Sequence, residues 1–200
     1  TKMINIKYKI EFFNEWHCGS GLSAGADVDA LVIKDKNNLP YIPGKTIKGL
    51  VRQALEEIAE YIDKLDLMKD INVNFGVERQ SSTEKENLTD IQSRGTIFFT
   101  NATLTTELSS SIIASETQEH LYRSIASTAI NENGVAKKNS LRKIQTTIPC
   151  ELHGDIFGLN KSLEQDIRVA LAFIKRLGVS RNRGLGRCKF TIEKIEEVKA

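Results

Sequence analysis

The chain has 200 residues and is 40% hydrophobic, enough to bury one core of ordinary domain size. Its formal net charge of +2 is too small to mark a polyanion-binding protein, so any such function must be argued from where the charge clusters. No apolar run approaches the ~20 residues of a membrane span, and three cysteines (Cys18, Cys150 and Cys188) without a secretory leader read as a reduced, soluble, cytoplasmic protein with no membrane partner.

The first element is a strand. Ile4, Ile6, Tyr8, Ile10 and Phe12 alternate with Asn5, Lys7, Lys9 and Glu11, which is the period of a half-buried sheet strand. A glycine-bearing loop follows over Cys18 to Gly25, then an apolar stretch around Ala30 to Ile33. Pro40, Pro43 and Gly44 forbid a helix until Lys45. Beyond it Ile47, Leu50, Val51, Ala54, Leu55, Ile58 and Ile62 recur at helical spacing. The polar stretch Glu78 to Ser93 reads as a loop, and Gly95 to Leu104 as a second strand with Ile97 and Phe99 on one face.

Residues 124–147 form an excursion with Asn133-Gly134 near its tip, a hairpin signal. Ile148 to Phe157 returns to the sheet. A second helix opens at Ser162 and Gln165, a capping-box pair, and presents Leu163, Ile167, Leu171 and Ile174. Arg187 to Val198 is the last strand. The order strand, helix, strand, strand, helix, strand predicts one α+β domain with a ferredoxin-like βαββαβ core and long insertions. That fold hosts many functions.

Three segments concentrate positive charge. Lys45, Lys48 and Arg52 share one face of a helix start, where free amides can hold a phosphate and cations reinforce it; a solvated helix face is the plain alternative. From Lys175 to Lys189 there are six basic residues and no acidic one, interleaved with glycines. It is neither a Walker loop nor a dinucleotide fingerprint, and a flexible basic loop for a polyanion fits it better. The excursion carries Lys137, Lys138, Arg142 and Lys143. His17, His120 and His153 are scattered and make no nucleophile triad. Zinc is not expected either, since His17-Cys18 and Cys150/His153 lack a paired C-x-x-C. Among carboxylates, Asp27, Asp29 and Asp35 near the first glycine loop are the candidates for holding a divalent ion or positioning a 2′-hydroxyl.

Taken together, the segments Trp16-His17-Cys18-Gly19-Ser20-Gly21, residues 29–35, Tyr41-Ile42-Pro43-Gly44-Lys45-Thr46-Ile47-Lys48-Gly49-Leu50-Val51-Arg52, Asn74-Phe75-Gly76, residues 130–136 and the loop at 178–187 resemble the RAMP superfamily of CRISPR-associated proteins. The likeness is to the multi-copy backbone subunit of type III effector complexes. It implies an RNA-recognition-type sheet, with Lys45, Lys48 and Arg52 joining Arg181, Arg183 and Arg187 on the backbone of a guide CRISPR RNA. His17 is counted with these RNA-binding residues. So are Lys137 and Arg142 on 124–147, which would be a thumb hairpin that flips out bases of the guide–target duplex.

By the same resemblance Asp29 is the catalytic residue and the metal ligand. It would promote Mg2+- or Mn2+-dependent attack of a target-RNA 2′-hydroxyl on the next phosphate. The other implied partners are further CRISPR effector subunits and copies of the chain stacked head-to-tail in a filament. The sequence departs from the family where Lys45 replaces a usual serine and where Asn131-Glu132-Asn133 replaces the usual arginine before the thumb turn. Asp27, two residues from Asp29, competes for its role. A catalytically silent scaffold and a histidine-dependent guide-processing endoribonuclease are the alternative readings.

Overall fold

The structure is a computed structural model, and it describes residues 2–23, 28–76 and 95–198. In chain order its elements are β1 (Met3–Phe12), β2 (Tyr41–Ile42), α1 (Gly44–Tyr61), α2 (Leu65–Phe75), β3 (Phe98–Phe99) and β4 (Ala102–Thr103). There follow α3 (Thr106–Ala114), β5 (Tyr122–Ser127), β6 (Arg142–Thr147), β7 (Glu151–Asn160), α4 (Glu164–Phe173) and β8 (Cys188–Glu197). The main sheet runs β2-β4-β7-β1-β8, with β3 also paired to β7, and β5-β6 form a separate two-stranded sheet. Every strand pairing is antiparallel. Reduced to its core, the order is β8-β1-β7-β3/β4, with α1 and α4 in the two crossovers: the ferredoxin-like arrangement expected from the sequence.

The alternation in β1 explains its central place. Ile4, Ile6, Tyr8, Ile10 and Phe12 are all buried beneath the helices, while Lys7 on the opposite face is exposed. α1 covers this face with Ile47, Val51, Ala54, Leu55 and Ala59, and α4 with Ile167, Ala170 and Leu171. Each large aliphatic side chain so buried contributes about 1.5–3 kcal/mol over its exposed state. Truncating one of the fully buried ones, Ile47→Ala for instance, costs about 2–5 kcal/mol. No helix among the described residues is long and apolar enough to cross a membrane.

Four local expectations need correction. The strand expected over 95–104 is broken into β3 and β4. Between them Thr100 bonds Asp155 from both its amide (3.0 Å) and its hydroxyl oxygen (2.8 Å to the Asp155 amide), and the Asn101 side chain turns to accept the Gly44 amide (3.0 Å) at the start of α1. The Ser162/Gln165 capping box does not form. Asn160 caps the turn by accepting the Ser162 amide at 3.2 Å, and a short 3₁₀ turn precedes α4. Neither α2 nor α3 is among the elements expected from the sequence; α3 has no buried residue and begins where the Thr105 hydroxyl accepts the Leu108 amide. The loop read over 78–93, and Asp27, lie outside the described residues.

Candidate nucleic-acid interface

The segment just after β1 joins the basic regions to one another. Trp16 exchanges both backbone hydrogen bonds with Thr147 at the base of β6 (3.0 and 2.8 Å). The next residue, His17, is 1% exposed, and its ring Nδ1 lies 2.5 Å from the Gln145 carbonyl oxygen. On its other side this segment holds the 178–187 loop. The Val179 amide donates to the His17 carbonyl (2.9 Å) and the Gly186 amide to Glu15 (2.8 Å). The Asn14 side chain donates to the Gly184 carbonyl while its Oδ1 accepts the Arg187 amide (2.8 Å). Glycine is required at 178, because a Cβ there would stand 2.3 Å from the His17 carbonyl oxygen.

The excursion is a hairpin, as its Asn-Gly signal indicated. β5 and β6 pair from Tyr122↔Thr147 to Ser127↔Arg142. At the tip, Ile130 bridges Ala136, Asn131 binds the Asn133 and Val135 amides through Oδ1, and Gly134 adopts φ 75°. Lys137, Lys138, Arg142 and Lys143 are exposed along it, together with the apolar Ile130, Val135 and Leu141. At its root the Tyr122 hydroxyl donates to the Asn38 carbonyl (2.6 Å) and its ring lies 3.9 Å under the Lys34 ammonium. Burial, with Asp35 and Cys150 adding to it, raises the phenol pKa above its ordinary value, so it stays a donor at neutral pH.

Asp29 belongs to this hairpin in space though not in sequence. Its amide donates to the Lys143 carbonyl (2.8 Å), its carboxylate Oδ2 accepts the Lys143 amide (2.7 Å), and the Ala30 carbonyl accepts the Gln145 amide (2.9 Å). β6 is therefore gripped along its length by 16–17 and by 29–30. The Asp29 carboxylate is fixed by one oxygen at the root of a basic arm, on an exposed residue.

In the 178–187 loop Ser180 (φ 57°), Gly184 (φ 94°) and Gly186 (φ 69°) take left-handed backbone around a 3₁₀ turn at Arg181–Arg183. Arg181, Arg183 and Arg187 are exposed; Arg187 sits 5.8 Å over the Phe13 ring, and the Arg176 guanidinium braces the turn by donating to the Arg181 carbonyl. Among the described residues neither these arginines nor the four hairpin cations are in an ion pair. Arg123, on β5 of the same hairpin, is paired with Glu15 at 3.0 Å.

The first basic cluster is arranged differently. Lys45 is exposed, but Lys48 and Arg52 turn inward. Lys48 donates to the Ile97 carbonyl (2.9 Å) beside the Phe75 ring, and burial lowers its pKa, with the neighbouring Arg52 adding to the shift. Arg52 pairs with Glu56 (2.6 Å) and donates to the Gly76 carbonyl (3.0 Å). The three do not form one solvent-facing row; two of them tie α1 to the end of α2 and the start of β3. His17, too, is packed away from solvent. Its sequence neighbours give no sign of this; Asn14, central to the junction, carries no sequence signal, and Lys143, which stands out in the sequence only for its charge, binds Asp29 through its backbone.

No group of three or more His, Cys, Asp or Glu side chains converges among the described residues. His153 is used against Glu193 (3.2 Å), and the three cysteines are in no disulfide. Asp29 nevertheless fits a hard divalent ion of the kind that keeps several waters and takes the rest of its oxygens from phosphates. Such ions need only one or two protein carboxylates, and one Asp29 oxygen lies outside the bond to Lys143.

The family model of the RAMP superfamily matches residues 9–189. Two solved structures align over almost the whole chain. One is a chain from the cryo-EM structure of the Type III-B Cmr-beta bound to cognate target RNA, with TM-score 0.67, 12% identity, and 94% of this chain and 96% of that one covered. The other is from the Type III-B Cmr-beta cryo-EM structure of the apo state, with TM-score 0.65, 13% identity, and 95% and 97% covered. At that identity the likeness is one of fold. No curated protein shows significant sequence similarity to the chain.

Proposed function

The chain belongs to the RAMP superfamily, and from that premise we propose that it is a guide-RNA-binding backbone subunit of a type III CRISPR effector complex that cleaves complementary target RNA. The observation that carries this reading is the junction at residues 14–17. It fixes a cationic hairpin and an arginine loop to one short segment, and both present exposed cations that are in no ion pair among the described residues. Backbone-directed cations of this kind bind RNA irrespective of sequence. The similarity to chains of the Type III-B Cmr-beta, one of them in a complex with target RNA, supports the same partner class. Guide CRISPR RNA, target RNA, further effector subunits and head-to-tail copies of the chain are the proposed partners.

In this reading Arg181, Arg183 and Arg187 and the hairpin cations Lys137 and Arg142 hold the RNA backbone. The hairpin's exposed Ile130, Val135 and Leu141 press against bases, and a nucleotide displaced there leaves its 2′-hydroxyl free to line up with the next phosphate. Asp29 stands at the hairpin root, where it would hold a Mg2+ or Mn2+ ion that, when bound, stabilises charge developing on the phosphate. The Lys143 amide keeps the carboxylate in place.

The test is cleavage of complementary RNA by the complex reconstituted on guide RNA with magnesium. Asp29→Ala should abolish regularly spaced cuts with target binding intact, and chelator should do the same to the wild type. Binding without cutting by the wild type would leave a silent scaffold. Cutting that survives both Asp29→Ala and chelator would refute the aspartate mechanism.

A further inference from the structure

We propose that His17 is a positioning residue for RNA binding, which sets the spacing between the hairpin and the arginine loop without touching RNA. This rests on the RNA-binding reading above and goes beyond it, because it removes His17 from the contact surface and gives it a different task.

The ring is 1% exposed, yet its Nδ1 reaches the carbonyl of Gln145, a hairpin residue 128 positions away in sequence. The backbone carbonyl of the same residue accepts the amide of Val179, the entry to the arginine loop. One residue therefore bonds both basic arms, one through its side chain and one through its main chain. The loop side has no slack, since Gly178 packs against the His17 carbonyl with no room for a Cβ. On the hairpin side the Gln145 amide is given to Ala30 and, two residues earlier, the Lys143 amide to Asp29, so the imidazole is the side-chain link from the 14–17 segment to this stretch of β6. Removing the imidazole leaves the Gln145 carbonyl without its side-chain donor, and the 14–17 segment then holds β6 only through the Trp16–Thr147 backbone pair, so the spacing between β6 and the loop is less tightly set. Cations held in a fixed array lose less freedom on binding a polyanion than cations on two independently moving arms.

A contact and a brace differ in salt dependence. Each lost phosphate contact on a single strand reduces the slope of log affinity against log salt by about 0.7, whereas a lost brace weakens binding with the slope intact. The experiment measures binding of a mixed-sequence single-stranded RNA over a salt series. It uses the full chain as wild type, His17→Ala, His17→Gln, His17→Asn and Arg183→Ala. Asparagine places an amide nitrogen at the same distance from Cβ as Nδ1, while glutamine carries it one bond further out. His17→Ala and His17→Gln should bind roughly tenfold more weakly with the wild-type slope. His17→Asn should recover to within about twofold, and Arg183→Ala should lower the slope.

Hydrogen exchange on the same variants reads the brace without RNA. Amides of Lys143, Gln145 and Val179 should exchange roughly tenfold faster in His17→Ala and His17→Gln, with the β1 amides of Ile6 and Ile10 unchanged. A slope lowered by His17→Ala as by Arg183→Ala, an asparagine variant as weak as alanine, or exchange unchanged at the three amides overturns the proposal. So does loss of β1 protection in both the alanine and glutamine variants, which would make His17 part of the general core. Failure of the wild type to bind RNA would instead sink the RNA-binding reading, and the exchange result would still decide what His17 holds.

Discussion

Arg52 offers the sharpest contrast between a cation proposed to bind RNA and one that holds the protein together. Its side chain is 20% exposed, and the guanidinium donates to the Gly76 carbonyl at 3.0 Å and to Glu56 at 2.6 Å within α1. Arg52→Met keeps the apolar stem and removes both. A hydrogen bond from a charged donor to a largely buried carbonyl contributes about 1.5–3 kcal/mol, and a helical i,i+4 ion pair adds about 0.3–0.5 kcal/mol. The third contact, 3.5 Å to Asn72, is too long to count. The expected loss is thus about 2–3.5 kcal/mol, a fall in Tm of roughly 4–14 °C for a chain of this size. Thermal and urea unfolding measure it, and the urea slope should stay unchanged if only the folded state is affected. RNA affinity and its salt dependence, measured well below the melting range, should match the wild type. A variant of wild-type stability whose salt slope drops by about 0.7 would place the guanidinium on a phosphate and refute this assignment.

Two glycines in the arginine loop separate steric from conformational cost. At Gly186 (φ 69°) an added Cβ would lie 1.9 Å from the Leu177 carbonyl oxygen, so Gly186→Ala should cost about 2–4 kcal/mol. Gly184 (φ 94°) faces open space, and Gly184→Ala should cost only the backbone term of about 1–2 kcal/mol. Equal losses on chemical denaturation would contradict the packing described for the loop. The cysteines give a prediction in pH. Burial pushes the Cys18 and Cys150 thiols up to about 11 and that of Cys188 up to about 12, so at pH 8 thiol reagents should label them far more slowly in the native chain than after unfolding. Because the unfolded chain gives up these protons first, stability should fall as pH rises from about 9 towards 11–12. Rapid native labelling, or a stability flat across that window, would show the thiols to be accessible.

Much of the frame was legible because it is written in local pattern. The alternation Ile4, Ile6, Tyr8, Ile10, Phe12 marks β1, and the helical spacing from Ile47 to Ile58 marks α1, since each side chain's burial repeats with the geometry of its own element. The Asn133-Gly134 pair likewise announced the hairpin tip. What was missed depends on partners distant in sequence. The 95–104 run breaks because Asn101 leaves the strand to serve Gly44, and Lys48 turns inward to a carbonyl 49 residues away. α2 did carry Leu67, Ile71 and Phe75 at four-residue intervals, a signal obscured by the break at residues 62–64. α3 had no amphipathic pattern to read, because it buries nothing. At the site, basic residues could be counted but not sorted. Charge says nothing of direction, and only the fold distinguishes Arg183 facing solvent from Arg52 facing the Gly76 carbonyl.

The position of β1 in the sheet sets the order in which the fold can close. Its two neighbours are β7 and β8, so residues 3–12 pair with 151–160 and 188–197. This interior strand, next to the edge strand β8, is made before both of its neighbours and waits for them to emerge. At elongation rates of roughly 5–20 residues per second that interval is on the order of 10–40 seconds. Over that time an alternating run of isoleucine and aromatic residues has neither edge satisfied, which is the condition for mispairing with another nascent chain. Expression of this protein should therefore depend on temperature and on holding chaperones more than its final stability implies. Loss of β8 would strip one whole edge from the strand on which the rest of the sheet is built.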